Sequence, residues 1–398
     1  MKLTIISMVM PYPPTDGGRI DVWRRIKALS KLGVSIQLIC WTNDQPEQAT
    51  RAAISEYVQE FHPILYQRTP AALVQRAFDL LSYPLEVTSR ILRGKQRESV
   101  LEAVRHFEPD VILGDQIHTG LVASQISQTL NIPLAIRSHD VEYLHYQYYL
   151  KCAKGLSKVK RLFSLNHLEQ YEKSILKQSK AFFDISKDDL QFWEDQGISN
   201  GHFLPPLIEF PESNGSVLAA SSSELPYDVV FLGNLHTDNN VAGVTWFLRE
   251  VVPLLRKGKP DIKVLIAGSN PTSAVKQACQ TDNITLAINP ASAADTYKSG
   301  RVLVDPVSMG SGVSIKSIDM LAMERPIVTT PKGVHGLPEE VKCYFKVAND
   351  AQSFASEIIQ LLSAQNFDLP DKDVLNAALG YGCVQDFILC LQEISKSR

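Results

Sequence analysis

Residues 305–330 read DPVSMGSGVSIKSIDMLAMERPIVTT, and the order of residue types in this stretch sets the fold expected for the whole chain. Val302–Asp305 is a short apolar run closed by a carboxylate, which predicts a strand. Gly310-Ser311-Gly312 then form a loop where bare backbone can approach a ligand closely. A helix is predicted over about Ser314–Met323, and a further strand over Pro326–Thr329. Strand, glycine loop, helix and strand make one parallel α/β unit. The unbonded N–H groups and positive dipole end at the start of such a helix favour a phosphate. Lys316 in the first turn adds a full charge. Asp319 lies three residues later on the same helical side. Its carboxylate can accept hydrogen bonds from two vicinal hydroxyls, such as those of a ribose.

The same alternation of apolar runs and helical patterns continues in both directions. Toward the N-terminus, strands are predicted at Asp228–Leu232, Ile262–Ala267 and Ile284–Ile288, with a helix over Val241–Leu255. In the first half, strands are predicted at Leu3–Met8, Val34–Trp41, Val111–Leu113, Leu134–Ile136 and Ala181–Asp184. Helices are predicted over Gly18–Leu32 and, as one long element, Lys158–Lys180. The tail reads as helix over Ala351–Leu362 and Val384–Ile394. Between the halves, PESNGSVLAASSSE (211–224) has no periodicity and is rich in small residues, as a linker is. The expected organisation is an N-terminal Rossmann-like domain at 1–210, a linker at 211–224, and a C-terminal Rossmann-like domain at 225–380. A C-terminal helix at 381–398 is expected to pack back toward the first domain. At 398 residues the chain suits two domains of about 150–200 residues each.

Composition narrows the function classes. Hydrophobic residues make up 44% and charged residues 21%, which excludes wholesale disorder. A net charge of −3 argues against a nucleic-acid partner. Residues 1–205 carry 24 Lys+Arg against 22 Asp+Glu, so the cations are biased to the first half. Six scattered Cys form no CxxC pair and no metal spacing, and read as buried free thiols of a reducing compartment. The opening MKLTIISMVMPYPP is too short and too Pro-rich for a signal peptide. No stretch reads as the roughly 20 apolar residues of a membrane span. The expected location is the cytoplasm, with the inner face of the membrane as the alternative. Two basic clusters, in Val74–Arg105 and Lys151–Arg161, motivate a peripheral membrane contact. Asp371 and Asp373 form a DxD that reads as helix-start carboxylates, so no metal site is expected.

At the 305–330 segment the chain resembles the donor-binding loop of family-4 glycosyltransferases of the GT-B fold. The closest likeness is to the branch whose loop reads GxGxxxK. The resemblance implies two Rossmann-like domains facing across a cleft. It also implies that Gly310, Ser311, Gly312, Val313, Ser314 and Lys316 bind the donor diphosphate. The family commonly shows Glu-x7-Glu. Asp319 stands at the second acidic position, which implies binding of the nucleotide ribose. Ser311 stands at the first, where the family's Glu contacts the donor sugar. Asp228–Pro253 (DVVFLGNLHTDNNVAGVTWFLREVVP) resembles the opening of the same family's C-terminal domain. There Gly233 is followed by Asn234 where an Arg is usual, and Asn239 or Asn240 stands where a Lys is usual. Amides hydrogen-bond a phosphate without neutralising it, so Lys316 is expected to carry more of the charge compensation. Asn239 and Asn240 fit helix capping equally well.

The first half carries the resemblance more thinly. Met10–Arg19 (MPYPPTDGGR) resembles the family's first loop, making Gly17, Gly18 and Arg19 candidate donor or acceptor contacts. Arg24 and Arg25 read as solvated helix residues. The loop lacks GxGxxG spacing, so a dinucleotide cofactor is not expected. RSHDVE (137–142) follows a predicted strand. His139 matches the family's His, which lies against the donor sugar, and is the expected catalytic residue. Asp140 and Glu142 are candidate contacts. The resemblance implies retaining, metal-independent transfer from a nucleotide-diphosphate sugar to a glycan or lipid-linked acceptor, in polysaccharide or glycoconjugate synthesis. No cofactor is expected beyond that donor substrate. The alternatives are a nucleotide-sugar 2-epimerase of the same fold and a catalytically degenerate sugar- or nucleotide-binding protein.

Overall fold

The computed structural model describes residues 1–152, 155–211, 225–309, 312–364 and 366–396. Positions 212–224 of the expected linker, together with Gly310 and Ser311, lie outside the described residues. Contacts divide the chain into two units, Met1–Pro205 with Tyr381–Arg398, and Pro206–Gly380.

The first unit is built on seven strands: β1 Lys2–Ser7, β2 Ser35–Thr42, β3 Glu60–Leu65, β4 Val111–Asp115, β5 Leu134–Ser138, β6 Ala181–Asp184 and β7 Gly201–Phe203. Every pairing is parallel, in the order β3-β2-β1-β4-β5-β6-β7. The second unit has six: β8 Tyr227–Leu232, β9 Val264–Gly268, β10 Ile284–Ile288, β11 Gly300–Asp305, β12 Ile327–Thr329 and β13 Phe345–Val347. They too pair in parallel, in the order β10-β9-β8-β11-β12-β13. Central strands such as β4 are buried along their whole length, because helices cover both faces of a parallel sheet. In each sheet the strand order reverses once, between β1 and β4 and between β8 and β11. Ligands of such sheets bind outside the carboxyl ends of the strands at that switch point.

Several elements differ from the sequence expectation. β3, β7 and β13 are strands that short or Pro-containing runs did not signal. The long helix expected over Lys158–Lys180 is two helices, Gly155–Leu165 and Leu168–Gln178. His167 between them adopts a left-handed φ of 60°, which an α-helix cannot contain, and Leu168 is then fully buried. The helix expected over Val241–Leu255 starts at Asp238 and passes through a π-helical segment, Phe247–Val251, before Val252–Gly258. Pro253 lacks an N–H, and the wider turn before it accommodates the missing bond.

Lys372–Ser395 is long and apolar enough by length and composition to cross a membrane, contrary to the expectation of no such stretch. It is two helices, Lys372–Leu379 and Tyr381–Ser395, separated at Gly380. Leu375 and Leu379 enter the core of the second unit, and Val384, Phe387, Leu391 and Ile394 are buried as well. The Phe387 ring meets Phe183 of β6 edge-on, with centroids 4.5 Å apart. Asp371 caps the first of these helices by accepting from the Asp373 and Val374 N–H groups. Of the cysteines, Cys40 and Cys279 are buried, whereas Cys343 is exposed.

The end of β9 sets the spacing of the loops in the second unit. Gly268 has φ +153, and a Cβ there would lie 1.7 Å from the Gly233 carbonyl oxygen. Only glycine lets the β8 and β9 loops approach so closely. Gly268→Ala is expected to cost about 3 kcal/mol or more from strain and overlap. That lowers the unfolding midpoint of the second unit by roughly 6–12 °C, measured by calorimetry on the full chain.

Candidate functional site

The second unit gathers its polar residues at the switch point. β11 ends in Asp305, whose side chain is 1% exposed. A charge so far from water needs donors, and three side chains supply them. Ser314 Oγ donates to Oδ2 at 2.8 Å and Ser317 Oγ to the same oxygen at 3.2 Å. Lys316 Nζ donates to Oδ1 at 2.9 Å. Thr329 Oγ1 of β12 donates to the Asp305 carbonyl at 2.9 Å, so the carboxylate sits on a braced strand end.

Ser314, Lys316 and Ser317 belong to one short helix, Ile315–Leu321, and its N-cap. The Ser314 hydroxyl accepts from the Ser317 N–H while donating to Asp305. Gly312 approaches the cap with φ 66, a conformation that favours glycine. Val313 lies between the two. Lys316 extends back toward β8, where its Nζ donates to Asn240 Oδ1 of the helix after that strand at 2.7 Å and stands 5.0 Å from the Phe231 ring centre. Asn240 Nδ2 in turn donates to the Asn234 carbonyl at 2.9 Å. A Cβ on Gly233 would lie 3.2 Å from both Lys316 Cδ and Asn240 Nδ2, so the small residue lets the lysine pass. The Lys316 side chain remains 22% exposed. Among the described residues its ammonium has two acceptors, and an ammonium carries three N–H donors. Asp319 lies one turn further along the helix.

Two readings change here. Lys316, expected to carry more of the charge compensation for a diphosphate, also faces the Asp305 carboxylate. Asn240 was weighed as a helix cap, but it lies inside the Asp238–Trp246 helix, whose N-cap is Thr237. Its amide instead joins Lys316 to the Gly233-Asn234 turn. Asp305 is the residue that sequence reasoning missed. The available signal was a carboxylate as the last residue of an apolar strand, directly before a glycine loop.

The first unit also concentrates charge at its switch point. The Gly17–Lys31 helix follows the β1 loop and is capped by Asp16, whose Oδ1 accepts from the Arg19 N–H. Arg19 is paired with Asp16 and donates to Thr15 Oγ1, which fixes it at the rim of a cavity of about 180 Å³. Gly18 lines this cavity with Ser7 and Gln116. An adjoining cavity of about 330 Å³ is lined by Arg19, Trp41, Asn43, Asp44 and Tyr66 at the ends of β2 and β3.

Deeper in the same unit, Asp21, Arg25, Asp115, Arg137 and His139 form one network. Arg25 Nη1 pairs with Asp21 Oδ2 at 2.8 Å, and its Nη2 pairs with Asp115. Arg137 Nη2 lies 3.5 Å from Asp21 Oδ2, and its Nη1 donates to the Leu204 carbonyl. His139 Nε2 lies 3.0 Å from Asp115 Oδ1 and 3.7 Å from Asp21 Oδ2. The Nε2 contact with the Asp115 carboxylate fixes the ring's orientation. His139 is 11% exposed, whereas its partners are almost wholly enclosed. Burial alone would raise the Asp21 carboxyl, but Arg25, Arg137 and His139 hold it well below the ordinary range. Asp115 is lowered in the same way, with Arg25 the main opponent of burial. Burial pushes Arg137 down to about 10. Arg25 was read as a solvated helix residue. At 1% exposure it is the cation that lets both carboxylates stay charged, a role helix periodicity cannot show.

Beside this network the Glu142–Cys152 helix begins. Its first N–H groups, from Glu142 and Tyr143, donate to the Glu172 carboxylate at 2.9 and 3.2 Å. Ser138 Oγ donates to the Asp140 carbonyl just before it. Burial, then Asp140 and Glu172, raise the Glu142 carboxyl well above its ordinary value. Its Oε1 is 3.9 Å from Nδ1 of the buried His118, and burial lowers that ring to about 3. Burial raises Glu172 to about 8 despite the two N–H bonds it accepts.

Comparisons with known proteins agree with this geometry. Residues 226–364 match the family model described as glycosyl transferases group 1. A protein of Klebsiella pneumoniae, described as an uncharacterized 44.6 kDa protein in a cps region, is 25% identical over 369 residues, covering 90% of each chain. Among solved structures, sucrose-phosphate synthase from Thermosynechococcus elongatus superposes with a TM-score of 0.64 at 15% identity, covering all of both chains. HepE from Anabaena, solved in complex with UDP-glucose, superposes with a TM-score of 0.61 at 9% identity, covering 99% of this chain and 100% of that one. At such identities these structures establish the fold, which is GT-B.

The acids of the first unit give stability a defined pH dependence. Glu172 keeps its proton in the folded chain up to about pH 8, whereas the unfolded side chain loses it near pH 4.3. Folded protein therefore binds more protons between these values, and stability falls as pH rises through them. Asp21 and Asp115 are depressed, so their contribution is complete above about pH 4 and is lost only below it. Glu172→Gln removes the titrating proton but keeps only one acceptor oxygen, so one of the two N–H groups loses its partner. Thermal unfolding from pH 5 to 8 is expected to show a smaller loss of stability in this variant than in the parent.

Proposed function

We propose that this chain, a glycosyltransferase of the GT-B fold, moves a sugar from a nucleotide-diphosphate donor to a glycan or lipid-linked acceptor, with retention and without a metal. The observation that carries the reading is Lys316, held by Asp305 and Asn240 beside the Gly233-Asn234 turn at the sheet's switch point. A cation fixed there, next to a helix start and a glycine loop, suits the departing diphosphate. Its charge is pre-placed by Asp305, so little reorganisation accompanies binding. We assign Gly310, Ser311, Gly312, Val313, Ser314 and Lys316 to the diphosphate, and Asp319 to the ribose hydroxyls. This follows the family-4 pattern. The match at 226–364 supports the class, and HepE with UDP-glucose is a fold relative that holds such a donor. The relative from a cps region fits a role in glycoconjugate synthesis.

The reaction in this reading is attack of an acceptor hydroxyl on the anomeric carbon, on the face from which the diphosphate leaves. The C–O bond to the leaving phosphate breaks as the new glycosidic bond forms. The leaving phosphate oxygen takes the acceptor proton. The protein's contribution is to hold acceptor and donor together on that face and stabilise the departing charge. His139, fixed by Asp115, orients the donor sugar and is the residue we assign to catalysis. Arg19, Gly17 and Gly18 line the acceptor side, and Asp140 and Glu142 lie next to His139 in sequence.

Thermal-shift titration with UDP-, GDP-, ADP- and dTDP-sugars identifies the donor, since a bound ligand raises the unfolding temperature. A panel in which none stabilises the chain overturns the reading. Lys316→Ala is expected to weaken nucleoside-diphosphate binding by about tenfold to a hundredfold, the range for a charged hydrogen bond, and to leave nucleoside binding nearly unchanged. Equal loss for both ligands would remove the role given to Lys316. His139→Ala is expected to lower transfer by about a hundredfold or more with nucleotide affinity retained. Unchanged turnover would make His139 structural.

A further inference from the structure

Eight of the sixteen large apolar side chains that stand exposed among the described residues fall within 70–81 and 155–165 of the first unit. On the Pro70–Asp79 helix and the turn after it, Leu73, Val74, Phe78 and Leu81 are exposed, Phe78 at 69% and Leu81 at 73%. Their spacing places them on one face. On the Gly155–Leu165 helix the exposed set is Leu156, Val159, Leu162 and Phe163, a single stripe by the same rule, with Leu156 89% exposed. This second helix is turned opposite to an ordinary packed helix. Its buried residue is a serine: Ser164 is fully enclosed and donates to Glu86 Oε1 at 2.7 Å, while the apolar stripe faces solvent. The two helices meet at their C-terminal ends, where Asn166 Nδ2 donates to the Leu80 carbonyl at 2.9 Å. Their apolar faces thus adjoin on the surface, and a cluster of exposed apolar side chains on a folded unit marks an interaction site.

Charge chooses the occupant. The segment 151–167 contains five Lys or Arg and neither Asp nor Glu. Lys158 and Lys160 are exposed between the apolar residues of the stripe. On the other helix Arg76 lies beside the exposed set, and the one carboxylate, Asp79, is engaged by Arg93. An apolar stripe interleaved with cations and without carboxylates matches the boundary of an anionic bilayer, where the hydrocarbon edge takes the apolar groups and the headgroups take the cations.

We propose that the faces of the Pro70–Asp79 and Gly155–Leu165 helices dock this protein on the surface of an anionic membrane. The contact does not depend on the sugar-transfer reading, since it uses none of the residues assigned to donor or catalysis. The test is co-sedimentation of the full chain with phosphatidylcholine vesicles, with and without 40% phosphatidylglycerol, as a composition of about physiological anionic charge or above. Binding at least tenfold stronger to the anionic vesicles, and weakened by 0.5 M salt, is the expected result, since screening acts on the cationic part (about 8 Å Debye length at 0.15 M falling to about 3 Å at 1 M). Leu156→Ser with Phe163→Ser is expected to lose at least tenfold of that binding. Lys158→Glu with Lys160→Glu is expected to abolish the preference for anionic lipid. Both variants should keep the parent unfolding temperature, which shows that they fold. Equal binding to both vesicle types, or parental binding by both variants, overturns the proposal. A concentration-dependent dimer that the serine variant abolishes, with no vesicle binding by the parent, overturns it in favour of a second copy.

Discussion

The second unit depends on the cost of keeping one carboxylate charged at the buried end of a strand. Asp305 lies where the strand order reverses, so its backbone is fixed by two neighbours and its side chain by burial. It is 1% exposed and cannot rely on water. Ser314, Lys316 and Ser317 therefore converge on it, and their convergence fixes the start of the Ile315–Leu321 helix. Lys316 is drawn back across the Gly233 turn to Asn240 by the same arrangement. A long flexible side chain is thus held to one position at the place where such sheets bind ligands.

The first unit solves a related problem with more charges. Asp21 and Asp115 are enclosed with Arg25 and Arg137, two anions with two cations, and His139 reaches the edge of that set. A buried group of this kind adds little net stability compared with apolar packing, because desolvation offsets the attraction. Its effect is positional. The imidazole is held by Asp115 in one orientation at the edge of the enclosed set. Next to it Glu172 caps the Glu142–Cys152 helix and fixes the place of Glu142, which a lone sequence position could not indicate.

Both units close the strand beside the switch point with an acid that meets a basic side chain from a helix. In the first unit the pair is Asp115 with Arg25, and in the second it is Asp305 with Lys316. The first unit buries its cation completely, whereas the second leaves Lys316 22% exposed and able to meet a ligand.

The amino-acid sequence by itself determined the α/β class, the two-sheet organisation and the position of the 305–330 loop. These follow from hydrophobic period and from glycine and proline placement, which act over a few residues. It also singled out Lys316 and His139, because each stands at a strand end or helix start. Only the tertiary structure decided which residues hold them. Asp305 with Lys316 spans eleven positions and Asn240 with Lys316 spans seventy-six, while Arg25 with Asp115 spans ninety. No local period encodes such pairs. The same reason explains the break at His167 and the outward turn of the Gly155–Leu165 stripe. Periodicity states that a helix has an apolar face, and only packing against the rest of the chain decides whether that face is covered.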